Sequence, residues 1–203
     1  MTETIATAPL ICLASASPRR SALLQQIGIA HCVAPGDVDE AERPGEVPRD
    51  YVLRLARTKA EAMAMAPAAR GLPVLGADTA VILDGLILGK PVDAADARRM
   101  LSLLAGRQHE VLSAVALAYR DVCEARLSVS HVRFAPLSAA DIDRYVASGE
   151  PFGKAGGYAI QGLAAAFVKH LAGSYSGVMG LPLYETSLLL AGAGIGAQSA
   201  RQL

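Results

Sequence analysis

Hydrophobic and polar positions along the chain alternate between two periods. Residues 10–14, "LICLA", are continuously apolar and predict a short buried strand. Two serines then lead into Pro18, which suits the first position of a helix, where its missing N–H is no loss, so a helix is expected over about 18–27. A second strand is expected at 31–35. The stretch "GDVDEAERPGEVPRD" is polar and proline-bearing, a loop too acidic for the core. In "RDYVLRLARTKAEAMAMAPAA", Val52, Leu55, Ala56, Ala60 and Met63 fall on one helical face. The period then shortens. "PVLGADTAVILDGLILGKP" is two apolar runs around Asp84-Gly85, a two-residue hairpin signal. A helix is expected at 94–105, closed by Gly106. "HEVLSAVALAY" and "CEARLSVSHVRFAPL" read as a long antiparallel pair joined around Arg120-Asp121. "SAADIDRYVASG" reads as a serine-capped helix ending at Gly149. A glycine-rich loop, "GKAGGYAIQG", precedes a strand near Ala165–His170 and a last helix from about Leu181 to Ala191; the tail beyond is expected to fray. Mixed elements without a repeat predict one α/β domain on a mixed sheet, over 1–203 with its core at about 10–191.

Composition changes this picture in three ways. With 52% hydrophobic and 19% charged residues, the 203-residue chain is an ordinary soluble globule. Its formal net charge is zero, so no nucleic-acid partner is expected and any anion site has to be a local cluster of Lys and Arg. Cys12, Cys32 and Cys123 are widely spaced and odd in number, which argues for reduced thiols and a cytoplasmic protein. The N-terminus, with Glu3, lacks the basic start and apolar stretch of a signal peptide, and "LPLYETSLLLAGAGIGA" is too short to span a bilayer, so no membrane partner is expected.

Candidate chemistry begins at Arg19 and Arg20. A helix start carries partial positive charge, so two adjacent guanidiniums there suggest that an anion is expected to arrive. Lys59 lies on the apolar stripe of its helix, either snorkelling at the edge or directed into a cleft. Asp78 interrupts "VLGADTAVIL", where a charge is costly unless paired or metal-bound; it is a strand-end aspartate or part of a site. Continued pairing from the Asp84-Gly85 loop would set Lys90 opposite Thr79 and about 5 Å from it, next to Asp78. Regular alternation sends Asp78 and Thr79 to opposite faces, so a bulge or strand end is expected between them. Asp37, Asp39 and Glu40 are solvated charge, or complete an oxygen-ligand site for Mg²⁺ or Mn²⁺ beside Asp78. Lys154 sits on a glycine-rich loop, flexible surface or a place where backbone approaches a ligand closely. Other motifs fail. "GAGIGA" has no preceding strand, "GLILGKP" and "GEPFGKA" have the wrong glycine spacing for a phosphate loop, and His31, His109, His131 and His170 are scattered without ligand spacing.

"LASASPRRSALL", "LARTKA", "VLGADTAVI" with "GKP", "GYAIQG" and "GSYSGVMGLPLYET" together resemble, in order, the Maf family of nucleotide pyrophosphatases over about residues 10–191. The "YAIQG" form resembles the branch acting on dTTP and UTP. The resemblance implies metal-dependent hydrolysis of a nucleoside triphosphate to the monophosphate and pyrophosphate, with Mg²⁺ or Mn²⁺. It implies an elongated mixed sheet flanked by helices, related to inosine triphosphate pyrophosphatases, with a central nucleotide cleft and a possible homodimer. By the same resemblance Asp78 is the catalytic proton acceptor and a metal ligand with Glu40. Arg19, Thr79 and Gln161 set base selectivity, and Ser15, Arg20, Lys59, Lys90 and Lys154 line the phosphate path. Gly153 stands where the family commonly has an aspartate before the lysine. Two alternatives accompany this reading: a nucleotide-binding regulator of cell septation acting through a partner, and an enzyme for modified pyrimidine triphosphates.

Overall fold

Strand β3 (Val74–Leu83) is the axis around which the other elements are placed. The computed structural model describes residues 8–69 and 71–196; Glu3, Arg70 and Ala197, the last residue of "GAGIGA", lie outside the described residues. Before β3 come β1 (Ile11–Leu13), α1 (Pro18–Gln26), β2 (His31–Val33) and α2 (Pro48–Ala64). After it come β4 (Leu86–Leu88), α3 (Ala94–Leu104), β5 (Gln108–Tyr119), β6 (Val122–Phe134), α4 (Ala139–Ala147), β7 (Val168–Ala172), α5 (Tyr175–Met179) and α6 (Leu183–Gly192). The strands form one sheet in the order β2-β1-β3-β5-β6-β7, with β4 also on β3. β1 runs parallel to β2 and β3, and the remaining pairs are antiparallel, so this is a mixed α/β fold with helices on both faces.

One edge of β3 is covered throughout by β5, from Val74↔Ala118 to Ile82↔Glu110. The other edge is shared: β1 pairs only at Val74 and Leu75, and β4 only from Val81 to Leu83. Between them, residues 76–80 have an open edge. The sheet splits there.

Alternation along β3 builds two different environments. Ala80 and Ile82 pack with Val52, Ala56 and Ala60 of α2. Gly76 on the same face is required by that contact: a Cβ would overlap the Ala56 carbonyl oxygen and come within 2.6 Å of the Ala60 nitrogen. On the opposite face, Leu75 and Ala77 join Leu23 and Leu24 of α1 and Leu189 and Leu190 of α6. Further along, Val81 and Leu83 join Leu101 of α3, Ile142 of α4 and Tyr158. Thr79 lies between these two clusters.

The Asp84-Gly85 hairpin is present, with Leu83↔Leu86 paired and both turn residues at positive φ, as such a two-residue turn requires. The expected Lys90–Thr79 pairing is not. β4 stops at Leu88, and Gly89 instead gives its carbonyl to Gly156 N at 3.0 Å while Pro91 lacks an amide proton. The helix expected through 49–69 ends at Ala64, and Pro67, unable to continue it, starts a separate 3₁₀ turn at Pro67–Ala69. A 3₁₀ helix, Leu163–Phe167, displaces β7 to Val168–Ala172 from the expected 165–170.

Candidate active site

A cavity of about 380 Å³ occupies the split in the sheet. That volume falls in the range of small-molecule sites. Ten of the residues singled out from the sequence line it: Ser15, Arg19, Arg20, Glu40, Lys59, Asp78, Thr79, Lys90, Lys154 and Gln161. No bulge separates Asp78 from Thr79, because Asp78↔Ala114 and Thr79↔Ser113 are consecutive regular pairs. The two side chains do leave opposite faces, and the unpaired edge lets one cavity reach both. An open edge takes the place of the expected bulge or strand end.

Asp78 is drawn to the α2 side. Lys59 Nζ donates to Asp78 Oδ1 at 2.6 Å and lies 2.6 Å from Glu40 Oε1, a cation held between two carboxylates. Both partners of the first pair are nearly enclosed, their side chains 12% and 11% exposed. Lys90 Nζ donates to Glu40 Oε2 at 3.4 Å. Burial works to raise the pKa of Glu40, but the hydrogen bonds and charges of Lys59 and Lys90 outweigh it and leave it below the usual carboxylate value. The loop carrying Glu40 is clipped to α2: Tyr51 Oη donates to the Glu40 carbonyl at 3.0 Å, and Arg54 donates to the Ala41 carbonyl and to both Glu46 oxygens. Burial and the negative charge of Asp78 and Glu40 push the Tyr51 phenol up to about 12. Asp37 and Asp39 are outside the cavity wall, and Asp39 is spent accepting from Ala41 N at 2.9 Å.

Across the cleft the two arginines are held by a distant segment. Arg20 Nε donates to the Gly180 carbonyl at 2.7 Å and Nη1 to Ser15 Oγ at 3.0 Å; Arg19 Nε donates to the Met179 carbonyl at 3.4 Å. Met179 and Gly180 are the C-terminal end of α5, whose carbonyls carry partial negative charge, so the cations meet a helix end of the right sign. These bonds fix both guanidinium planes without neutralising them. Burial pulls the pKa of Arg20 down, Asp78 opposes this and Arg19 adds to it; Arg19 is also lowered by burial. Lys154 is lowered by burial and then by Arg19. An arriving anion reverses each of these penalties.

Thr79 has a defined polarity. Ser113 Oγ spends its single proton on the Gly177 carbonyl at 2.5 Å, so in the Thr79–Ser113 bond at 3.0 Å the threonine is the donor. Thr79 Oγ1 then presents only acceptor lone pairs to the cavity. Ser113 and the Met179 and Gly180 carbonyls were missed at the sequence level. Positions 160 residues apart give no local signal, although "GSYSGVMGLPLYET" marked the segment.

Counting charges along the wall, five cations face two carboxylates in a chain with no formal net charge. Fold and cleft together define an α/β protein that concentrates positive charge at a break in its sheet. The chain belongs to the Maf family, described as Maf-like protein, which matches residues 10–193. It is 56% identical over 194 residues to a dTTP/UTP pyrophosphatase of Bordetella parapertussis, covering 92% of this chain and 94% of that protein. It is 57% identical over 205 residues to a dTTP/UTP pyrophosphatase of Ralstonia nicotianae, covering 96% and 99%. Among solved structures, the Ham1 protein of Staphylococcus aureus is similar over 61% of this chain and 71% of its own, at 18% identity and a TM-score of 0.42. The relatives carry the name of an enzyme, which does not favour the septation-regulator alternative. Among the described residues no helix is long and apolar enough to cross a membrane.

Proposed function

We propose that this chain hydrolyses dTTP and UTP to the nucleoside monophosphate and pyrophosphate in the cleft around Asp78. The observation that carries this reading is the convergence of Arg19, Arg20, Lys59, Lys90 and Lys154 on one cavity that also holds Asp78 and Glu40. A triphosphate supplies the negative charge that this wall lacks. Arginines grip phosphate oxygens through paired N–H donors and lysines act as point charges.

A divalent cation fits this donor set. Among the described residues no three His, Cys, Asp or Glu side chains cluster as a metal site. Two carboxylates, however, approach the single Lys59 ammonium at 2.6 Å each, and Mg²⁺ is commonly held by one or two carboxylates together with substrate phosphates. Asp78 and Glu40 would hold Mg²⁺ or Mn²⁺ there, and the ion would supply charge neutralisation on the phosphate oxygens. Asp78 orients the attacking water and accepts its proton. Lys59 and Lys90 stabilise the charge that builds on the departing pyrophosphate.

Gln161, also on the cavity wall, offers a donor and an acceptor, which suits the O4 and N3–H edge of thymine or uracil. Thr79, presenting an acceptor, complements N3–H and opposes the N3 lone pair of cytosine. The test is a panel of triphosphates with Mg²⁺ or Mn²⁺, products separated chromatographically. The expected result is monophosphate and pyrophosphate in equal amounts, with kcat/KM highest for dTTP and UTP. Release of inorganic phosphate, or binding without turnover, would overturn the reading; a preference for modified pyrimidines would move the substrate but keep the chemistry.

A further inference from the structure

Glu150 stands outside the cavity wall, yet its carboxylate holds the segment that carries Gln161. Its Oε2 accepts from Leu163 N at 2.9 Å, and its Oε1 accepts from Ala164 N at 3.3 Å and from Tyr145 Oη at 2.9 Å. Tyr145 Oη in turn accepts from Ala159 N at 3.3 Å. The carboxylate therefore grips both ends of the turn 159–164, one end directly and the other through Tyr145. Within that turn Gly162 N donates to the Ala159 carbonyl at 3.0 Å, and Gln161 sits exposed at the cavity. The fit is tight enough to exclude any side chain at Gly162, where a Cβ would overlap the Glu150 carboxylate. Neighbouring Ala159 and Ile160 are buried and the exposed Leu163 lies off the cavity wall, so Gln161 is the turn's one exposed side chain at the cavity, and its direction follows from the backbone.

Resting on the substrate reading above, we propose that Glu150, with Tyr145, is the positioning residue that sets base selectivity by fixing the backbone on which Gln161 is presented. Glu150 does not touch the base. Its carboxylate is kept charged, since backbone hydrogen bonds from Leu163 and Ala164 and the Tyr145 hydroxyl outweigh burial, which alone would raise its pKa. A charged acceptor binds two amides and a hydroxyl more firmly than a neutral amide side chain can.

Glu150→Gln keeps the shape but replaces one acceptor oxygen by an NH₂ that cannot receive an amide proton. Tyr145→Phe removes the hydroxyl that reaches Ala159 and leaves Glu150 in place, so it serves where Glu150→Gln folds poorly. The measurement is the ratio of kcat/KM for UTP to that for CTP. Each variant is expected to lower this ratio about tenfold, as expected for a misplaced recognition hydrogen bond, chiefly through KM for UTP, with kcat for UTP within about twofold of wild type. In a Gln161→Ala background neither variant is expected to lower the ratio further, since the group being positioned is gone. A ratio unchanged in both variants, or an equal further loss in the Gln161→Ala background, would overturn the proposal. A wild-type enzyme without preference for UTP over CTP would overturn it together with the substrate reading, so the two failures are distinguishable.

Discussion

Lys59 shows how a single side chain takes its role from its setting. On the sequence it lies on the apolar stripe of a helix, a position open to snorkelling or to a cleft. In the fold, α2 packs on the Gly76–Ile82 face of β3, and the ammonium ends between Asp78 and Glu40. Lys59→Met would remove the ammonium held between the two carboxylates and strip Asp78 of that partner, while Lys90 still reaches Glu40. The expected outcome is a fall in kcat on dTTP of about 100-fold or more, measured as pyrophosphate release. His109 is a residue of the opposite kind, structural and away from the phosphate wall. It is 3% exposed, donates or accepts through Nε2 to Tyr158 Oη at 2.8 Å, and burial lowers its pKa from 6.5 to about 4. A buried neutral imidazole binds its proton less readily in the folded state than in the unfolded one. Its contribution is therefore complete above pH 6.5 and is lost as pH falls from 6.5 towards 4. Urea unfolding at pH 7 and pH 5 should differ by roughly 2 kcal/mol from this group, and the difference should shrink in His109→Asn.

At the scale of elements, the contact between α2 and β3 positions the charges. Gly76→Ala pushes a methyl group into the backbone of α2, which cannot yield as a side chain can. A loss of roughly 1–3 kcal/mol in unfolding free energy is expected. Activity should fall with it, because the Lys59–Asp78 contact spans the same interface. Gly192→Ala, where a Cβ meets nothing within 4 Å, is the control expected to change neither. Period and punctuation made most elements legible: the Asp84-Gly85 hairpin, the Arg120-Asp121 turn between paired Tyr119 and Val122, and the Ser138 cap, which forms a reciprocal box with Asp141. The open edge of β3 was not legible. It depends on where β1 and β4 stop, which residues 76–80 do not themselves signal. α5 was likewise invisible, being a five-residue helix held by a Ser174 cap and by its contacts to the arginines.

For the whole molecule, the defining feature is a cationic cleft in a chain whose formal net charge is zero. Ser15 and Gln161 came from the family resemblance alone. Asp78 and Lys59 could be picked from the sequence because charges in apolar settings are costly, and Arg19 and Arg20 because cations oppose a helix start. Their convergence could not, since Arg20 meets Gly180, Lys59 meets Asp78 and Lys90 meets Glu40 only through the fold. Glu150 escaped notice for the same reason, lying in a "GEPFGKA" stretch whose glycine spacing drew attention to the wrong chemistry. A local field in a chain of zero net charge predicts a particular salt response. KM for dTTP should rise several-fold between low and high ionic strength while kcat stays nearly constant, as screening weakens capture of the triphosphate and leaves the enclosed chemistry alone. A kcat that fell in parallel would place the salt-sensitive charges at the reacting bond instead. The most direct test of the central claim, that the cationic cleft serves one carboxylate, is Asp78→Asn measured for both binding and turnover. The account predicts that kcat on dTTP drops about 100-fold or more while the nucleotide Kd changes little. Turnover near the wild-type rate in that variant would contradict it.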